Sequence, residues 1–243
     1  MVYSMNINEC IIIGGGSSIT EGISLGLRDK IKDKFVIACN YSYKHFSHTL
    51  LTCVDKDFYY SSNSNHPNIY EELKEEKLII TNADITKNLI LLNTILVKRT
   101  NNYNENPLQS GFYNGGLTGI FSLSLAQFIL NYTGTIFLLG FDWSRQPIPE
   151  DKTKYKSVCN LDIHYYKKEI QHRGVGYTGF YDNHNPNNSF KFFNNKNIKI
   201  YNVSLNSNID NFEKISYKKM FGLLSPNTYE QNSLQTYIKQ ILN

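Results

Sequence analysis

The block that most constrains this chain lies near its start. A short apolar run, Glu9-Cys-Ile-Ile-Ile13, gives way to Gly14-Gly15-Gly16-Ser17-Ser18, and Ile19, Ile23, Leu27 and Ile31 follow at helical spacing. So short a run, bounded by glycine, reads as a strand buried on both faces. The glycines permit a tight turn, and either serine is available to cap the helix that follows. A strand that passes through a turn into a helix returns to its sheet by a crossover, which makes the next strand parallel. The chain supplies those strands. Phe35–Cys39 and Thr49–Val54 are apolar and end at Asn40 and Asp55, and weaker strand signals lie at Leu78–Thr81 and Ile90–Val97. Thr118–Asn131 reads as a long apolar helix entered through the glycine-rich stretch Ser110–Gly119. Thr135–Leu139 is a further buried strand closing on Gly140-Phe141-Asp142-Trp143, and Ile198–Val203 is a last strand before two helical stretches. The expected fold is a single Rossmann-like α/β domain over residues 1–243 with a mainly parallel sheet. Residues 144–197, rich in Asn, Gly, Tyr and His, form an irregular lid-like insertion in this reading.

Composition narrows the class of function. No apolar run approaches the roughly 18–20 residues that span a bilayer, and Met1–Asn8 lacks the basic and apolar regions of a signal peptide. Cys10, Cys39, Cys53 and Cys159 show no metal-binding or redox spacing, so a reduced, cytoplasmic setting is expected. Charged residues make up only 19%, and the net charge is +4. That balance suits an anionic ligand, but without a Lys/Arg stripe it gives nucleic acid only weak support as a partner. The abundance of Asn and Tyr reads mostly as the codon bias of an AT-rich bacterial or phage genome. An assembly of identical subunits is compatible with all of this.

Ligands of open α/β sheets bind outside the carboxyl ends of the strands. The polar residues at predicted strand ends therefore point to one crevice: Gly14, Gly15, Gly16, Ser17 and Ser18 after the first strand, Asn40 after the second, Asp55 and Asp57 after the third, and Asp142 after Thr135–Leu139. A glycine turn opening a helix can approach a phosphate closely, yet this one matches neither the P-loop nor the dinucleotide pattern. A tight turn without a ligand is the plain alternative. Asp55-Lys-Asp57 resembles the paired carboxylates that hold a divalent cation on a nucleotide diphosphate, so Mg²⁺ through Asp55 and Asp57 is a second option beside ordinary solvated acids. His164, His172 and His184 lie in the irregular segment, and a histidine suits a general base acting on a sugar hydroxyl.

Several of these blocks resemble one family. Gly14-Gly15-Gly16-Ser17-Ser18-Ile19 and Ala38-Cys39-Asn40 are similar to the glycine-rich loop and following Asn motif of the bacterial sialyltransferases of glycosyltransferase family 42. Leu117-Thr118-Gly119 with its helix, running into Phe137–Asp142, resembles that family's Thr-Ser-Gly helix and following strand. His184, then Ile198–Val203 and Ser204-Leu-Asn-Ser207, resembles its catalytic-His segment, strand and terminal turn. The resemblance implies a nucleotide-sugar donor, CMP-linked for preference, held by Gly14–Ser18, Asn40, Thr118, Gly119 and Asp142. It further implies that His184 is the base toward an acceptor hydroxyl, that Tyr155, Tyr165 or Tyr166 hydrogen-bonds the departing phosphate, and that no metal is required. The same blocks resemble the archaeal hydroxymethylpterin diphosphokinase and motility-accessory-factor group. That likeness implies a Mg²⁺-dependent phosphoryl transfer using Asp55, Asp57 and Asp142. A phage-encoded transferase or binding factor acting on DNA is the third reading.

Overall fold

The structure, a computed structural model, describes residues 5–55, 69–82, 90–104, 106–143, 145–148, 151–157, 165, 181–182 and 186–243; for 69–70, 145–148, 151–157, 181–182 and 186 it describes the backbone alone. The described strands are β1 Glu9–Ile13, β2 Val36–Cys39, β3 Leu50–Cys53, β4 Ile79–Thr81, β5 Thr94–Leu96, β6 Arg99–Thr100, β7 Phe112–Tyr113, β8 Gly134–Leu139, β9 Arg145–Ile148, β10 Asp151–Ser157, β11 Tyr181–Asp182, β12 Ile198–Asn202 and β13 Glu213–Lys214. The described α-helices are α1 Ile19–Ser24, α2 Leu27–Ile31, α3 Ile69–Leu73, α4 Pro107–Ser110, α5 Thr118–Ile129, α6 Pro186–Phe190, α7 Tyr217–Leu223 and α8 Gln231–Leu242.

Eight strands make one sheet in the order β13-β12-β8-β1-β2-β3-β4-β5, and each neighbouring pair is parallel. The chain steps outward from β1 to β5 on one side, then resumes at β8 on the other side of β1. The reversal between β1 and β8 is the topological switch point of a Rossmann-like fold. Register is tight there: Ile12 lies opposite Ile37 of β2 and Leu138 of β8.

Both faces of the sheet are covered. Cys10 and Ile12 face a cluster with Ile120, Leu123 and Ile129 of α5 and Leu234 and Ile238 of α8. Ile11 and Ile13 face the opposite cluster, with Ile19 of α1, Leu27 and Ile31 of α2, and Tyr217 and Met220 of α7. This double burial is why β1 reads as an unbroken apolar run, and each isoleucine contributes about 2–3 kcal/mol by leaving water. Helix α5 carries no charged residue and is buried nearly all round, so its hydroxyls bond inward. Ser122 Oγ donates to Thr118 O at 2.7 Å and lies 2.7 Å from Thr52 Oγ1 and 3.1 Å from Cys39 Sγ. Cys10, Cys39 and Cys53 are buried thiols, and burial pushes Cys39 up to about 11 and Cys53 to about 12. Among the described residues no helix is long and apolar enough to cross a membrane.

Three features differ from the sequence expectation. The periodicity from Ile19 to Ile31 belongs to two helices, because Gly26 adopts φ +82° and breaks the ladder while the apolar spacing continues across it. Ser18, at the N-cap of α1, makes no capping bond with its own side chain. Within 144–197, the described residues include a regular antiparallel sheet, β9-β10-β11, followed by α6 and a 3₁₀ turn, Lys191–Phe193. Pro186 opens α6, where its missing N–H costs nothing.

Candidate functional site

At the switch point the turn after β1 is tied to the end of β8. Gly14 N donates to Leu139 O at 2.7 Å and Gly16 N to Gly140 O at 2.9 Å. The approach is close enough to demand glycine at two positions. A Cβ on Gly16 would overlap the Asp142 carboxylate and lie 2.6 Å from Gly140 O, while Gly140, at φ +70°, would place one 2.8 Å from Gly16 N. This proximity brings Asp142, which is 8% exposed, to the start of α1. Its Oδ2 accepts from Ser18 N at 2.8 Å and its Oδ1 from Ser18 Oγ at 2.5 Å. A negative charge from a distant strand end thus caps the helix, the role expected of a serine. The turn that follows β12 fixes the backbone around Asp142. Ser207 Oγ donates to Phe141 O at 2.7 Å, Asn202 Nδ2 donates to Ser207 Oγ at 2.8 Å, and Asn208 N donates to Asp142 O at 3.0 Å.

Asn40, immediately after β2, sits in the left-handed region at φ +48°, a conformation its short amide tolerates. Thr118 Oγ1, at the first residue of α5, donates to Asn40 Oδ1 at 3.3 Å. Ser42 Oγ donates to Gly14 O at 2.8 Å. A Cβ on Gly119 would lie 2.7 Å from Phe141 Cε1, so glycine admits that ring. Gly14–Ser18, Asn40, Thr118–Gly119 and Asp142 therefore meet at one end of the sheet.

Of the tyrosines singled out in the insertion, Tyr165 reaches this place. Its N–H donates to Gly15 O at 3.1 Å, and its ring packs edge-on against His45 and Phe46 at 5.3 and 5.9 Å. Tyr155 lies in β10, opposite Asp182 of β11. The Tyr155 side chain, and Tyr166, His164, His172, His184, Asp57 and Cys159, lie outside the described residues. Asp55 is exposed just beyond β3. Among the described residues no three His, Cys, Asp or Glu side chains gather as a metal site, and both Asp142 oxygens are bonded to Ser18.

Two polar residues at this edge carry no signal in the sequence. Tyr217, the first residue of α7, lies across Gly22 so closely that a Cβ there would be 2.6 Å from Tyr217 Cζ. Its buried hydroxyl is beside Ser18 and Asp142, and burial together with the Asp142 and Glu21 carboxylates raises its pKa well above the ordinary value. Asn82, one residue past β4, is 5% exposed, and neither of its amide atoms is hydrogen-bonded to a described residue. Ser216, which caps α7 by accepting from Lys219 N, marks the helix start in the sequence, but nothing there marks what its first tyrosine touches.

The arrangement joins an acceptor-only carboxylate, neutral hydroxyls, an amide and closely packed backbone. Such a set suits a ligand that presents hydroxyl groups better than one that presents charge alone. Compared with known proteins, the chain matches no family model, no curated protein and no solved structure.

Proposed function

We propose that this protein is a glycosyltransferase that moves a sugar, of sialic-acid type, from a CMP-linked donor to an acceptor hydroxyl. One observation carries the reading. Four segments distant in sequence, Gly14–Ser18, Asn40, Thr118–Gly119 and Asp142, meet at the switch point of a parallel sheet, and Tyr165 of the insertion bonds to the same turn. The nucleotide part of the donor lies along the glycine turn and Asn40. Tyr165, with Tyr155 and Tyr166 as alternatives, donates to the leaving phosphate, and His184 takes the proton of the acceptor. Support for His184 comes from α6, which begins two residues after it and is pinned to the site by Phe190 packing on Phe141 at 6.3 Å between ring centres.

Ligand-dependent thermal stability tests the reading, with CMP, CMP-sialic acid, UDP, GDP and ATP, each with and without Mg²⁺. CMP and its sugar conjugate are expected to stabilise the fold, by about 2.7 kcal/mol at a hundredfold excess over Kd, with EDTA making no difference. Stabilisation by ATP only with Mg²⁺ would replace this reading with the phosphoryl-transfer one. No effect from any nucleotide would remove both. His184→Gln is expected to lower turnover about 100-fold or more while CMP still binds, since a positioned base contributes roughly that much.

A further inference from the structure

The Tyr217 hydroxyl is the most unusual polar group at the switch point. The residue is 1% exposed, and the hydroxyl, although beside Ser18, is hydrogen-bonded to none of the described residues. Leaving a buried hydroxyl unpaired costs about 1–3 kcal/mol. The ring has no freedom to escape, because Gly22 lies beneath it and Met220 and Ile215 pack in the same cluster. Next to it, Asp142 accepts one hydrogen bond on each oxygen, both from Ser18, and each oxygen retains capacity for another. The corner thus offers one unused donor and one acceptor with lone pairs left over. Tyr165, anchored on Gly15, packs against the same cluster.

We infer that the Ser18–Asp142–Tyr217 corner is a subsite for a sugar hydroxyl of the ligand, with Tyr217 as a binding residue. The inference rests on the glycosyltransferase reading and deepens it. A hydroxyl accepts from Tyr217 and donates to Asp142 at once, satisfying both. A phosphate oxygen can only accept, and it would face the Asp142 carboxylate at the mouth of α1. The donor's phosphate therefore lies away from this corner, and the glycine turn meets the nucleoside part of the donor instead of cradling an anion. The hydroxyl belongs either to the ribose or to the transferred sugar.

Calorimetric titration of the full chain and of Tyr217→Phe with three ligands separates the possibilities: CMP, its 2′,3′-dideoxy analogue and CMP-sialic acid. Removing the hydroxyl is expected to weaken CMP about tenfold and the dideoxy analogue less than twofold if the ribose is bound. A tenfold loss confined to CMP-sialic acid would assign the transferred sugar. Unchanged affinity for all three, or an equal loss for CMP and its dideoxy analogue, would overturn the inference while leaving the glycosyltransferase reading intact. Failure of the unaltered chain to bind any of the three would overturn both. The melting temperature of the unliganded variant is a second readout. It is expected to equal or exceed that of the parent, because no internal bond is lost and an unpaired buried hydroxyl is removed, and a drop of more than about 5 °C would reveal an internal partner and also overturn the proposal.

Discussion

Along the inner strands the two ends of the central sheet treat polar groups in opposite ways, whereas at the outer strand β5 the amino end also holds an unpaired atom, the buried Asn93 Oδ1. At the amino ends of β1–β3 the buried polar side chains are bound into one network with the C-terminal segment. Glu9 Oε2 accepts from Ser225 N at 2.9 Å, and Lys34 Nζ donates to Ser225 O and, at 2.7 Å, to Asn227 O. Thr49 Oγ1 donates to Gln231 Oε1 at 2.7 Å, Gln231 Nε2 donates to Lys34 O at 3.2 Å, and Gln235 Nε2 donates to Thr49 O at 2.7 Å. At the carboxyl ends, the Tyr217 hydroxyl, the Asn82 amide and Asn202 Oδ1 are buried with no hydrogen bond among the described residues. The first end ties α8 and its preceding loop to the sheet. The second keeps hydrogen-bonding capacity in reserve, as a binding site does before its ligand arrives.

Substitutions at the two ends sharpen this contrast. Gly16→Ala is expected to do the most damage, about 3 kcal/mol in urea unfolding together with loss of CMP binding, because its methyl group collides with Asp142 and the Gly140 carbonyl. Lys34→Met, at the paired end, is expected to cost about 2 kcal/mol through two lost carbonyl bonds, with CMP affinity per folded molecule unchanged. If it also abolished binding, the two ends would not be separable.

Glu9→Gln probes charge at the paired end. Burial raises the Glu9 pKa, and the Ser225 N–H and the Lys34 charge only partly oppose it. A carboxyl whose folded pKa lies above its unfolded one holds its proton more tightly when folded. Its contribution to stability is therefore fully present below the unfolded value near 4.5 and declines as pH rises through the folded one. The glutamine variant is expected to match the parent at pH 4 and gain on it toward neutrality, read from urea midpoints at both values. The smallest effect is expected for Asn82→Leu. An unpaired buried amide exchanged for an apolar side chain of similar size should leave stability unchanged or raise it by about 1 kcal/mol. A loss of 2 kcal/mol would mean that Asn82 has a structural role at this end.

What the sequence made legible follows from range. Doubly buried strands must be apolar throughout, so β1, β2, β3, β8 and β12 stand out, and their polar terminators Asn40 and Asp142 locate the carboxyl edge. The break at Gly26 stayed hidden because apolar spacing records which face a residue occupies and is blind to backbone continuity. Strand β13, two residues long with one charge of each sign, carries no periodic pattern. Tyr217 is one of 18 tyrosines, and its significance arises wholly from contacts with Gly22, Ser18 and Asp142, which no local window contains. The same holds for Asp142 as the cap of α1: the residue was legible as a strand end, its partner was not.

The central position of β1 has a consequence for how the protein is made. One edge of β1 pairs with β2 at once, but its other edge waits for β8, residues 134–139. During synthesis the half-sheet β1–β5 therefore leaves the ribosome with an isoleucine-rich strand open along one side, and open apolar edges recruit other chains. The segment between β5 and β8 is thus an interval of vulnerability, closed when Gly134–Leu139 docks and seals the strand on which the site is built.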